Sequence, residues 1–272
     1  MKTLKKHLIL FDAECPLCTF YTRGFVNLGL LEKEGRLSYQ EFQDAACPVF
    51  DRQRAVNEIA LVNQETGEVT YGIKSLFKVF GTAVPLLKPL FEFGPFVWLM
   101  SKCYAFISYN RRVIVPGNPI QNDVLQPGFS LKYRILYLVT TCLITAAILS
   151  VYAKLMNGLL PHGPAYREYL VCGGQIIFQA VVVGFVNKDR RWDYLGNMMT
   201  ISFIGAMLLL PGFLIDILFN MKPIFYVGWF LCTAGVMLLL HVKRSKLLHI
   251  GLTMTITWML YRLILLALIF LL

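Results

Sequence analysis

After Arg134 charge nearly vanishes from this sequence, and the remainder is apolar over stretches as long as a bilayer is thick. Five such stretches stand out, at about Ile135–Ala153, Tyr169–Asn187, Tyr194–Ile215, Ile224–Val242 and Ile250–Leu272. A spanning helix needs about 20 predominantly apolar residues. In lipid a segment of that kind satisfies its own backbone groups only as a helix. Across the chain 57% of residues are hydrophobic and 15% charged, against about 25% charged in an ordinary soluble domain. The charges that exist are scattered through the first part. The expected architecture is therefore an N-terminal head at 1–115, a linker at 116–130 and an all-α transmembrane bundle of about five spans at 131–272.

The net charge of +10 invites a nucleic-acid reading, but no basic stripe with interleaved aromatics is present. The basic residues instead cluster between apolar segments. Arg111, Arg112, Lys132 and Arg134 precede the first span, Lys188, Arg190 and Arg191 separate the second from the third, and Lys243, Arg244 and Lys246 separate the fourth from the fifth. The alternate loops hold only Lys154, Arg167 and Lys222. Lys and Arg accumulate on the cytoplasmic side of membrane proteins, so the bias predicts a multi-pass cell-membrane protein with a cytoplasmic head and an external C-terminus. Lys2, Lys5 and Lys6 look like the start of a signal peptide, but the apolar run behind them is only Leu8 to Phe11. A signal needs about 7–15 apolar residues, so the head is expected to stay where it is made.

The head reads as α/β. Lys6 to Phe11 is a strand, and Pro16 to about Lys33 a helix with apolar residues at helical spacing, stopped by Gly35. Arg36 to Phe42 alternates like a second strand, and Gln43 to Asn57 is mixed and polar. Glu58–Asn63 and Glu68–Tyr71 flank a hairpin turn, and Ile73 to Phe80 is helical. Thr82 to Asn110 is apolar but broken by prolines and charges, which suits helices that close the head or lie on a membrane surface. The order β-α-β then β-β-α matches a thioredoxin-like sandwich.

At the first strand–helix junction the sequence is Asp12-Ala13-Glu14-Cys15-Pro16-Leu17-Cys18. Proline suits the first helical position, so two thiols sit on the opening turn of a helix. Free N–H groups and the helix dipole stabilise negative charge there. Thiolate is the reactive form of cysteine, so this is where redox chemistry belongs. In a dithiol, Cys15 attacks a substrate disulfide and Cys18 resolves the mixed disulfide. The competing readings are half a zinc site and an inert pair. A closed zinc site needs four ligands, and no second C-x-x-C or H-x-x-H accompanies this one.

The Asp12-x-x-Cys15-Pro16-x-Cys18 motif after a strand resembles the DCC family of thiol-disulfide oxidoreductases, a thioredoxin-like group. The resemblance runs from about Lys6 to about Val115 and takes in the strand pair at Glu58–Tyr71, the helix start at Gly72–Ser75, and Tyr104 with Asn110-Arg111. It implies a thioredoxin-like fold, a protein-disulfide reductase type of activity without cofactor or metal, and disulfide-bearing protein or small-thiol substrates. Asp12 carries over as the family's aspartate, either taking a proton from Cys18 or orienting the turn. A plain turn-forming role at a strand end is the alternative. Thioredoxins place a proline opposite the dithiol. Here Asn57-Glu58 hold that position, and the nearest proline follows Cys47.

Cys142, Cys172 and Cys232 fall in the spans without pairing in sequence, which reads as packing rather than an electron relay. Arg262 in the fifth span and Asp216 at the end of the third are intramembrane charges, which face a partner or a cavity. The expectation is a membrane-tethered oxidoreductase. The rival of another class is a transporter or sensor whose head is a redox switch.

Overall fold

The computed structural model describes residues 2–42, 50–117, 128–161, 163–164 and 166–271. Cys47 and most of the expected linker lie outside these. The chain forms two compact units, Met1–Tyr133 and Arg134–Leu272.

The described residues of the first unit form four strands, β1 (His7–Phe11), β2 (Arg36–Ser38), β3 (Ala60–Asn63) and β4 (Val69–Tyr71), in the order β2-β1-β3-β4. β1 runs parallel to β2 and antiparallel to β3, and β3 is antiparallel to β4. The register pairs Ile9 with Leu61 and Leu10 with Ala60, so successive residues face opposite sides. On one side Ile9 and Leu61 pack with Phe25 of α1 (Pro16–Asn27) and Val79 of α3 (Ile73–Ala83). On the other, Leu10, Ala60 and Val62 pack with Tyr39, Phe42, and Ala55 and Val56 of α2 (Arg52–Asn57). Burial on both faces explains why Leu8 to Phe11 is an unbroken apolar run rather than an alternating one.

Two expectations about this unit are corrected. α1 stops at Asn27, not near Lys33, and the stop is Gly29 rather than Gly35. Gly29 takes φ 70°, and the Leu30 N–H returns to the Phe25 carbonyl at 2.8 Å. That reversal is open to glycine and sends Leu30 and Leu31 back into the core. The strand expected at Arg36 to Phe42 is paired only to Ser38, because the Glu41 N–H turns back to the Ser38 carbonyl at 3.1 Å. A single-turn 3-10 helix (Pro85–Leu87), α4 (Lys88–Glu92) and the long α5 (Gly94–Ile114) complete the unit, leaving Leu86 and Trp98 largely exposed.

Among its described residues the second unit carries five helices long and apolar enough to cross a membrane, with mean hydropathy from 1.9 to 2.2. They are α6 (Leu131–Leu155), α7 (Arg167–Val186), α8 (Arg191–Phe219), α9 (Pro223–Leu247) and α10 (Thr253–Leu271), the first of them beginning just before the boundary between units. α8 supplies much of the core, with Tyr194, Leu195, Met198 and Met199 all at most 2% exposed. Several polar side chains between the helices pair with one another. The Tyr194 hydroxyl donates to Gln179 Oε1 at 2.9 Å and meets His241 Nε2 at 3.1 Å. His241 Nδ1 meets Thr255 Oγ1 at 3.0 Å, and Arg244 donates to Asn197 Oδ1 at 2.9 Å. An ion pair between Arg262 and Asp216 does not form. Asp216 accepts from the Tyr226 hydroxyl at 2.7 Å, whereas Arg262 Nε donates to Gln175 Oε1 at 3.2 Å.

Candidate functional site: a buried dithiol turn

β1 delivers Asp12 to the end of the sheet, and the chain then turns tightly into α1. The Cys15 N–H reaches the Asp12 carbonyl at 3.1 Å, and the Glu14 N–H reaches Asp12 Oδ1 at 3.1 Å. Cys15 is the N-cap of α1 and Pro16 its first residue. Its Sγ takes the place of a capping oxygen and accepts the Cys18 backbone N–H at 3.4 Å. Both cysteines are buried, Cys15 at 1% and Cys18 at 6% exposure, and pack with Phe11. Exposure therefore does not set the two thiols apart.

Electrostatics does. Cys15 is drawn down from its ordinary 9.0 to about 6, first by a side-chain hydrogen bond from Cys18, with burial opposing, then by the Cys18 backbone N–H and the charge of Arg111. Asp12 pushes weakly the other way. Cys18 is pushed up, first because its thiol proton is held on Cys15 and then by burial. One thiol is thus held as thiolate by the proton the other keeps. Burial also raises Tyr21 and Tyr104, which stay as neutral phenols beside the pair.

Asp12 is 2% exposed and both its oxygens are engaged. Oδ1 accepts Gln40 Nε2 at 3.0 Å as well as the Glu14 N–H, and Oδ2 accepts Arg111 at 2.8 Å. This is the geometry of a residue that shapes the turn. Arg111, on the last turn of α5, is 5% exposed and also donates to the Val56 carbonyl at 2.8 Å. One guanidinium therefore joins the dithiol turn to the end of α2. Arg112 adds a bond to Glu14 Oε2 at 3.1 Å. Two carboxylates and two guanidiniums surround the turn, so the buried charges compensate one another.

Nothing in the sequence places Gln40 at this turn, and Arg111 and Arg112 stand there only as part of the charge cluster before the first span, Asn110-Arg111 also within the resemblance. The break in β2 is what brings Gln40 to Asp12. Its side-chain oxygen accepts the Ala13 N–H at 3.2 Å. Beside Pro16 lies an open depression of about 450 Å³, lined by Glu14, Pro16, Thr19, Phe20, Arg23 and Gly117. Phe20 is 78% exposed at its edge. Gly117, beyond the end of α5, rests on the turn itself. A Cβ there would overlap the Glu14 carbonyl oxygen.

Among the described residues no cluster of three or more His, Cys, Asp or Glu is placed to hold a metal. No family model, curated protein or solved structure matches the chain.

Proposed function

We propose that the chain is a membrane-tethered thiol-disulfide oxidoreductase of the DCC type, with a thioredoxin-like head. The observation that carries this is the geometry of the helix cap, where Cys15 Sγ accepts the Cys18 backbone N–H at 3.4 Å, with the Cys18 hydrogen bond drawing the Cys15 thiol down while Cys18 is pushed up. The β2-β1-β3-β4 sheet with α1 and α3 on one face supports the thioredoxin-like reading.

In the reaction the Cys15 thiolate attacks one sulfur of a substrate disulfide. A Cys15–substrate bond forms, the substrate's own S–S bond breaks, and the leaving thiolate takes a proton from water. Cys18 then loses its proton and attacks Cys15 Sγ. The Cys15–Cys18 disulfide forms and the second substrate thiolate departs with a proton. Two electrons have passed to the substrate, and a thiol-class reductant returns them. The depression beside Pro16, with Phe20 at its edge, is the surface on which the substrate's chain lies. The full-length protein in detergent, with glutathione as reductant, is expected to reduce insulin disulfides, followed as turbidity. Rates equal to those of a Cys15→Ser/Cys18→Ser chain would remove the enzymatic reading.

On this reading the apolar helices anchor the protein in a bilayer, and the loop charges support a cytoplasmic head. Reporter fusions after Arg112, Pro161 and Leu272 are expected to read inside, outside and outside. An outside signal after Arg112 would reverse the orientation and set the dithiol in an oxidising compartment.

A further inference from the structure

The helices that follow Ala83 expose more large apolar side chains than the head's sheet and α1 do. α5 has an inner side fixed by hydrogen bonds. The Tyr104 hydroxyl accepts the Ile59 N–H at 2.9 Å, and one turn on the Ser108 hydroxyl donates to the Asn57 carbonyl. Trp98, Leu99 and Ile107 fall on the other side, where they are 64%, 52% and 47% exposed. Leu86 and Phe93, just before α5, are 87% and 58% exposed. The core beneath has no room waiting for them, since Phe91 and Phe96 already stack on Phe77 with ring centres 4.4 and 5.7 Å away. Lys88 and Lys102 are exposed among these side chains, the Lys102 ammonium 6.0 Å from the Trp98 ring centre. Glu92 is the one carboxylate between Pro85 and Ile107.

An exposed apolar patch of this kind marks contact with a protein or a membrane. The side chains favour lipid. Tryptophan and phenylalanine rings settle at the boundary between headgroups and acyl chains, and lysine keeps its stem on apolar surface while its ammonium reaches phosphate. A protein partner would bring about one hydrogen bond per 100–200 Å², and this side offers few polar groups to meet it. On the reading that the apolar helices span a bilayer, the chain enters lipid at α6. A membrane surface is then present at the high local concentration of a tethered partner. On that reading we infer that Leu86, Phe93, Trp98, Leu99 and Ile107 seat the head on an anionic bilayer surface, with Lys88 and Lys102 at the lipid phosphates.

The test uses the full-length protein in vesicles of phosphatidylcholine and phosphatidylglycerol, with the photoprobe p-benzoylphenylalanine in place of Trp98 or of Phe93. Both positions are exposed, so the probe leaves the core intact. Irradiation is expected to add the mass of one phospholipid to the probe peptide. The same probe at Glu65, exposed on the turn between β3 and β4, should add about tenfold less. Leu99→Glu/Ile107→Glu should cut the lipid adduct at position 98 about tenfold at an unchanged unfolding temperature, because carboxylates lose hydration in the interface and are repelled by its charge. Lipid adducts from neither probe position, an equal yield from position 65, a crosslink to a second copy in place of lipid, or an unchanged yield in the double variant would each overturn the assignment. Protein washed from the vesicles at alkaline pH would remove the spanning reading and this inference with it. Retained protein without lipid adducts would remove this inference alone.

Discussion

Cys18→Ser in the full-length chain is expected to accumulate a mixed disulfide on Cys15, and Cys15→Ser to accumulate none. The thiolate at Cys15 survives near neutral pH, and without Cys18 nothing releases the substrate. Lowering a thiol from 9.0 to about 6 raises its thiolate fraction at pH 7 roughly ninetyfold. The weaker nucleophilicity of a more acidic thiol offsets about twentyfold of this, leaving a gain of about fourfold. Absolute rate is therefore a poor signature and the pH profile a good one. Alkylation of Cys15 should be half-maximal near pH 6 and level above it, while Cys18 stays unlabelled through pH 9. Shielding by the fold scales the rate without moving that midpoint. Because Cys18 donates to Cys15, Cys18→Ala should also shift the midpoint upward. Mass spectrometry after brief iodoacetamide treatment reads both. Equal, slow labelling of the two thiols with no adduct on the Cys18→Ser chain would leave an inert pair.

The second large effect is at Arg111 and Asp12. Their side chains are 6% and 1% exposed and meet at 2.8 Å. Removing one partner strands the other's charge, which costs about 3–5 kcal/mol. Arg111→Met and Asp12→Leu should each lower the unfolding temperature markedly, and the double variant should lose less than the two singles summed. Strict additivity would mean the pair is not coupled. The chemistry gives a separate reading with opposite signs. Arg111's charge favours the Cys15 thiolate, so Arg111→Met should move the midpoint from about 6 back toward 9.0. Asp12's charge disfavours it, so Asp12→Asn, which keeps the shape of the turn, should move the midpoint down. Midpoints that shift together, or not at all, would take these residues out of the control of the thiol.

What could be read from the sequence was local. Cys15 and Pro16 at a helix start follow from residue types four apart at most, and the five apolar helices from hydropathy over twenty. The helix ends were misjudged by a few residues for a physical reason. α9 runs on to Leu247 through Lys243, Arg244 and Lys246, because a helix continues past the apolar zone with its charges in polar surroundings. α1 was overextended because Leu31 fits the helical spacing while Gly29 between it and Asn27 reverses the chain. The Asp12–Arg111 pair joins residues 99 apart in sequence, and neither residue's type names its partner. Gln40 was hidden in an alternating pattern that is true of a strand only as far as Ser38. For Arg262 and Asp216 the sequence leaves an ion pair, a ligand site and a snorkelling arginine all open, because residue type alone does not show what faces an intramembrane charge. The structure gives Asp216 a tyrosine hydroxyl and Arg262 an amide oxygen.

Gly117 gives the motif a requirement that lies far outside it. Pro16, between the cysteines, is exposed, and the side-chain space around it is open to change. At position 117 the opposite holds, since even a methyl group would strike the carbonyl of Glu14. A side chain at this residue, about a hundred positions downstream, is therefore harder to place than a different one at exposed Pro16. A variant that carries a side chain at this downstream position must first rebuild the way the polypeptide leaves α5.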